Sequence, residues 1–171
     1  MVGSKNRFAQ EIVEAKFFDN LNSIDDLIKK ISKGYNFNNR GIQLTKGDIF
    51  EIFCEAYLST NPEYQVKEVY PQGYVPVKIR KKLKLSFQDK GYDGVYRTTD
   101  GNLHTYQAKF RTKSDKLNWA QDYKGGLSSF IGVSEQAHIR HLLATSNKVD
   151  SEFLSKPRIQ LTLLNDLKKL S

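Results

Sequence analysis

The sequence predicts an α/β domain: a mixed central sheet of about four or five strands with helices on both sides. Three observations carry this expectation. Residues 93–109, Asp-Gly-Val-Tyr-Arg-Thr-Thr-Asp-Gly-Asn-Leu-His-Thr-Tyr-Gln-Ala-Lys, read as two short strands around an Asp100-Gly101-Asn102 turn, and Asp-Gly is a strong hairpin signal. Segments at 7–18, 23–32 and 45–58 repeat apolar residues at helical spacing. Segments at 64–70, 139–145 and 158–163 have strand character instead.

In order, Phe8, Ile12, Ala15 and Phe18 mark a helix over 7–18. Ser23 is placed as an N-cap, with Asp26 three residues on in the capping-box position, and Ile24, Leu27, Ile28 and Ile31 form the stripe of a second helix. These two helices make up an N-terminal segment, 1–41, that packs on the core or grips a substrate. The stretch Gly34–Gly41, with three asparagines, reads as a loop. Thr45 and Asp48 repeat the capping pattern for a helix to about Leu58, within a core domain over 42–171. On that helix Ile49, Phe50, Ile52, Phe53, Ala56 and Tyr57 crowd one side, which at roughly 100° per residue leaves Glu51 and Glu55 on the opposite, solvated side. After the strand at 64–70, Pro71 and Gly73 break the chain. Residues 76–84 then gather Lys78, Arg80, Lys81, Lys82 and Lys84 around Ile79 and Leu83, the pattern of a short basic amphipathic helix. Such a helix either contacts phosphates along a duplex or is a solvated face. Beyond Lys109 the chain stays basic, with Arg111, Lys113, Lys116 and Lys124 around Trp119 and Tyr123, aromatics that could stack on bases but more often pack. A short helix follows at Leu127, then the strands at 139–145 and 158–163, and a helix begins at Asn165.

Loop length decides what the hairpin brings together. A two-residue Asp-Gly loop sets Asp93 opposite Ala108, on the wrong face; a three-residue Asp100-Gly101-Asn102 loop sets Asp93 opposite Lys109 and Val95 opposite Gln107. An acid, an amide and an amine then share one face, and Tyr106, Ala108 and Phe110 lie on the other. A carboxylate and an amide oxygen can ligate a hard cation such as Mg²⁺, and an adjacent ammonium can orient a water and stabilise charge on a phosphate. The bland alternative is a surface hairpin carrying an ordinary acid and an ordinary lysine.

Asp-Lys-Gly-Tyr-Asp-Gly-Val (89–95) followed by Tyr-Gln-Ala-Lys-Phe (106–110) resembles the PD-(D/E)XK restriction-endonuclease-like nucleases, and within them the Mrr-like branch, with its D-x-G-(I/Y)-D, hairpin and Q-x-K pattern. Gly47-Asp48-Ile49-Phe50-Glu51 resembles that branch's G-x-x-F-E helix. The run Val75–Leu83 is similar to nuclease domains at the front of large restriction-type or mobile-element helicases. The resemblance covers roughly residues 42–167. It implies a restriction-endonuclease-like mixed sheet flanked by helices and an Mg²⁺- (or Mn²⁺-) dependent DNA endonuclease. On this reading Asp93, Gln107 and the Ala108 carbonyl are metal ligands, Lys109 is the catalytic amine, and Glu51 is a further acid reaching the metal. Lys78, Arg80, Lys81, Lys82, Lys84, Arg111 and Lys113 are then the nucleic-acid contacts. Gln107 stands where Asp or Glu is the commoner residue. That removes one negative charge and makes a second metal ion harder to hold unless Glu51 supplies the anion.

Composition fits this frame. The 171 residues, 39% hydrophobic and 27% charged, suffice for a domain with a real core, and the net charge of +8 suits a polyanionic partner such as DNA. The single cysteine, Cys54, excludes an internal disulfide and a cysteine-cluster zinc site, and His138 and His141 lack ligand companions. No apolar run is long enough for a membrane span and no apolar signal core opens the chain, so a cytoplasmic, reducing setting and no membrane partner are expected. No Gly-x-x-x-x-Gly-Lys motif occurs, so nucleotide hydrolysis is not expected of this chain, and no Ser-His-acid order supports acyl transfer. The abrupt end inside a helical pattern suggests a domain excised from a helicase-containing protein. Two rival readings are a non-catalytic DNA-binding module on a nuclease-like fold, and a protein-interaction domain whose basic surface meets an acidic partner.

Overall fold

The computed structural model describes residues 8–34, 44–86, 91–112, 115–121 and 126–169. Helix α1 (Ala9–Glu14), α2 (Ile24–Ser32) and α3 (Lys46–Thr60) precede strand β1 (Val66–Pro71) and the basic helix α4 (Val77–Leu83). The hairpin β2 (Gly94–Thr98) and β3 (Leu103–Lys109) follows, then α5 (Ser128–Val133), β4 (Ile139–Ala144), α6 (Ser151–Leu154), β5 (Ile159–Thr162) and α7 (Leu164–Leu167). The strands form one sheet in the order β1-β2-β3-β4-β5. The first three are antiparallel, and β3, β4 and β5 run parallel, so the sheet is mixed, as expected. Both parallel connections contain a helix, α5 before β4 and α6 before β5, as crossovers require.

Strand periodicity splits the core into two layers. Tyr96, Tyr106 and Leu143 face α1, α2, α3 and α7, whose Ile12, Leu27, Ile31, Phe50 and Leu167 are buried against them. Val95, Leu103, Leu142 and Ala144 face the other way, onto Ile79 and Leu83 of α4, Phe130 of α5 and Phe153 of α6. The two N-terminal helices therefore share a cluster with the core helix α3.

Local chemistry sets the helix ends. Helix α1 stops at Glu14 and does not continue to Phe18. Lys16 takes a left-handed φ of 53°, while the amides of Lys16 and Phe17 bond back to Val13 and Ile12 at 2.9 and 3.1 Å. This is a Schellman ending, and it turns Phe17 into the core with no exposed surface. Ser23 caps α2 by accepting from the Asp26 amide at 3.2 Å, while Asp26 accepts from the Asn22 amide at 3.1 Å instead of from Ser23's. On α3 the capping box is complete: Thr45 Oγ1 accepts from the Asp48 amide at 3.1 Å, and Asp48 accepts from the Thr45 amide at 2.9 Å. Because this cap starts the helix that carries Glu51, Thr45→Ala is expected to cost about 1 kcal/mol, a fall of a few degrees in Tm by calorimetry.

Helix α3 corrects one sequence expectation. It is apolar nearly all round, lies against α2, β1 and β3, and buries Cys54 and Glu55 as well as Ile49, Phe50 and Ile52. Glu55 is 5% exposed. No solvated stripe exists on which Glu55 could lie; a helix enclosed by another helix and the sheet has no such side.

A chain of polar side chains crosses the α3-side core. Tyr57 Oη meets Tyr64 Oη at 3.2 Å, Tyr64 meets Thr162 Oγ1 at 2.7 Å, and Thr162 meets His141 Nε2 at 2.7 Å. His141 Nδ1 then meets Tyr96 Oη at 2.8 Å, and Tyr96 meets His104 Nδ1 at 3.1 Å. Burial holds His141 down at about 3 and His104 at about 4, so both imidazoles are neutral. His104 also stacks on the exposed His138, with ring centroids 5.5 Å apart.

Candidate active site

The hairpin turn determines the register at the site. Gly101, at φ 89°, closes a three-residue loop, Thr99-Asp100-Gly101. Thr98 and Asn102 pair across it at 3.0 Å, and Asp100 accepts from Thr98 Oγ1 and from the Asn102 amide. Val95 therefore lies opposite Thr105, and Gly94 opposite Tyr106. This corrects the expected pairing by two residues: Asp93 falls beside Gln107, and Lys109 lies one step further along. The left-handed residue is Gly101 at the third loop position, so Asn102 joins the strand. A shift of two preserves side-chain parity, so Gln107 and Lys109 still share a face, with Asp93 just ahead of β2 beside Gln107. Tyr106, Ala108 and Phe110 lie on the other, where Phe110 meets Phe50 of α3 at 5.9 Å between centroids.

Strand β2 begins at Gly94 while β3 runs on to Lys109, and the gap between them opens the site. The Asp93 amide donates to the Tyr106 carbonyl at 2.9 Å, and its side chain folds back so that Oδ2 accepts from the Ala108 amide at 2.7 Å. The Ala108 carbonyl points along the same strand edge as its amide. Gly94 is required here, since a Cβ would run into the Tyr106 ring and hydroxyl. A cleft of about 520 Å³ occupies the gap, lined by Glu51, Asp93, Gln107, Ala108, Lys109 and Arg111, with Lys46 and Gly47 of α3 at one side. Glu51 enters from the α3 layer.

The electrostatics are unusual. Burial, and then the Asp93 carboxylate beside it, push the Glu51 carboxyl up to about 9. Burial also raises Asp93, against the opposing pull of the Ala108 amide and the Lys109 ammonium. The two carboxyls are hydrogen-bonded to each other, and burial favours keeping a proton on the pair, which titrates as a unit. Gln107 is 6% exposed, and among the described residues its Oε1 is buried with no hydrogen-bond partner. Two crowded carboxyls, an orphaned amide oxygen and a backbone carbonyl form an all-oxygen donor set. That set fits a hard divalent cation, whose charge would relieve the repulsion and satisfy the orphan. Among the described residues no three His, Cys, Asp or Glu side chains form a ligand group, so the set would rest on the amide and the carbonyl as well as the acids.

Of the expected phosphate contacts, Lys78, Lys81, Lys82 and Lys84 of α4 are exposed, Arg80 is half-buried, and Arg111 lines the cleft. The Arg111 amide donates to Thr145 Oγ1 at 2.7 Å. Lys113, Tyr123, Lys124 and the loop residues 35–41 lie outside the described residues. Trp119 packs at the edge of the α4-side core with Lys156 Nζ 5.0 Å from its ring centre, in line with a packing role. Lys46, Thr112 and Asp115 also line the cleft. Nothing in the sequence singled them out, except that Lys46 opens the helix carrying Glu51.

Among solved structures, the chain is similar to an ATP-dependent Type ISP restriction-modification enzyme, LlaBIII, bound to DNA, with a TM-score of 0.60 and 21% identity over 86% of this chain. The match spans 8% of that much longer chain. The likeness is one of fold: a mixed α/β domain with a five-stranded sheet flanked by helices, shared with part of a restriction enzyme. No family pattern matches the chain, and no curated protein matches its sequence. No helix among the described residues is long and apolar enough to cross a membrane.

Proposed function

We propose that this chain is a metal-dependent DNA endonuclease domain of the PD-(D/E)XK kind, working as part of a larger helicase-containing protein. One observation carries the reading: Asp93, Glu51, Gln107 with its orphaned Oε1, and Lys109 converge in a single cleft. The fold shared with a stretch of a DNA-bound restriction-modification enzyme supports it, as does the net charge of +8. That enzyme's dependence on ATP and its modification activity are not carried over, because this chain matches so small a part of it.

Asp93, Gln107, the Ala108 carbonyl and Glu51 are the groups that would hold Mg²⁺ or Mn²⁺. A bound divalent cation would neutralise charge on the scissile phosphate and acidify a ligating water. Lys109, on the same face as Gln107, orients the attacking water and stabilises the negative charge that builds up on the phosphate. With a cation bound, the Glu51–Asp93 pair would release its shared proton to solvent, and Glu51 would supply the anion that the neutral Gln107 does not.

Nicking of supercoiled plasmid with Mg²⁺ or Mn²⁺, wild type against Lys109→Ala, tests the proposal. Metal-dependent nicking lost in the variant is the expected outcome. Equal nicking by the two would remove the cleft as the catalytic site, and DNA binding without any nicking would leave a non-catalytic DNA-binding module instead. The exposed lysines of α4 give a second expected result. Replacing Lys81 and Lys82 together by Ala should weaken DNA binding alike across sequences and lower the salt slope by about one to two units. An unchanged slope would remove α4 from the interface.

A further inference from the structure

From Val69 to Ser86 the chain carries five cations and no acid. Four of them, Lys78, Lys81, Lys82 and Lys84, are exposed, and among the described residues none of these four is ion-paired. Among the described residues four large apolar side chains are exposed, Val13, Leu154, Tyr74 at 45% and Val77 at 57%, and the last two stand together beside these lysines. On α4, Val77 and Lys81 stand one turn apart with Lys78 and Lys82 alongside, while Ile79 and Leu83 are buried beneath. The exposed arc is therefore both apolar and cationic.

The turn carrying Tyr74 is rigid. Its amide meets the carbonyls of Pro71 at 2.9 Å and Gln72 at 2.7 Å, Gly73 takes φ 80°, and the next residue, Val75, is buried. The turn is also tied to the cleft, because the Gln72 amide donates to the carbonyl of Asp93 itself at 2.8 Å. An aromatic ring held in water on a stiff turn among unpaired lysines has the chemistry of a base-stacking platform flanked by phosphate contacts. Continuous duplex keeps its bases stacked on one another and offers such a ring no free face. A broken stretch does.

We infer that Tyr74 stacks on an unpaired base beside the scissile phosphate, so that the substrate class is DNA with a local break in base pairing. This rests on the DNA-cleaving reading and adds to it the kind of DNA engaged.

The test compares binding of the whole chain, in EDTA to prevent cleavage, to a continuous duplex and to the same duplex with a short unpaired bubble. Wild type is expected to prefer the bubble. Tyr74→Ala should lose about 5- to 150-fold in affinity for the bubble and little for the duplex, whereas Tyr74→Phe should stay within about twofold of wild type. A 2-aminopurine in the bubble should be quenched by wild type and Tyr74→Phe and not by Tyr74→Ala. Wild-type-like binding by Tyr74→Ala, equal losses on both DNAs, or a loss in Tyr74→Phe matching that of Tyr74→Ala would each overturn the stacking role while leaving DNA binding intact. If wild type binds neither DNA, the DNA-cleaving reading falls, and the stacking role falls with it.

Discussion

Asp93→Asn is expected to reduce metal-dependent plasmid cleavage to background and to weaken Mn²⁺ binding in calorimetry. Lys109→Ala is expected to lose on the order of 10²–10³-fold in cleavage while binding Mn²⁺ as well as wild type or better. The opposition follows from position. Asp93 is the acid the hairpin sets beside Gln107, and its Oδ2 is already oriented by the Ala108 amide. Among the groups of the proposed set only Asp93 and Glu51 can carry negative charge, and burial holds a proton on that pair until a cation displaces it. Lys109 repels the cation, so its removal lowers a barrier to metal binding while depriving the phosphate of a stabilising charge. Both variants should keep most of their DNA affinity, which the proposal assigns to the lysines of α4. If Asp93→Asn binds Mn²⁺ like wild type, or if both variants still cut, the cleft is not the catalytic site.

Glu51→Gln carries the second large effect, and it is read in stability as well as activity. The Glu51 carboxyl stands at about 9 in the folded chain against an ordinary 4.5. Between these values the folded state holds a proton that the unfolded state has released, so stability is greatest below 4.5 and falls as pH rises toward 9. The histidines act in the opposite direction on the acid side. His141 at about 3 and His104 at about 4, against 6.5 when unfolded, cost stability as pH drops below 6.5. Without metal, Tm should therefore decline from pH 6 to pH 9 in wild type and stay flatter in Glu51→Gln. Adding Mn²⁺ should flatten the wild-type curve too, and Glu51→Gln should cut poorly at limiting Mg²⁺. Parallel Tm curves for the two proteins would mean that Glu51 does not share its proton with Asp93.

Much of this was legible in the residues, for identifiable reasons. Capping boxes are local, so Thr45 and Ser23 marked two helix starts correctly. Strand periodicity is local too, so Gln107 and Lys109 could be assigned to one face before their register was known. The register itself was missed by two residues, because it depended on whether Gly101 or Asn102 closed the loop, a choice made by the left-handed conformation of one glycine. Glu55 of α3 was misplaced for a different reason. A helical wheel distinguishes apolar from polar sides but cannot tell that a helix is enclosed, and Glu55 is buried against the wheel's indication. The orphaned Gln107 oxygen and the turn joining Gln72 to Asp93 depend on contacts between distant segments, which no periodicity encodes.

The tyrosine–histidine chain through the core has a consequence for how the sheet is put together. Strand β5 has four residues, and only Thr162 is fully enclosed; its neighbours are half-buried. Ile159 and Leu161 alternate toward the α4-side core but are only half-buried there, so a slip of one position, which would turn them away from it, would cost less apolar burial than in a fully enclosed strand. It would, however, carry Thr162 away from both His141 and Tyr64 and leave the buried Nε2 of His141 without its partner, a penalty of about 1–3 kcal/mol. The hydroxyl of one threonine thus acts as an indexing pin that lets a short parallel edge strand seat in a single position.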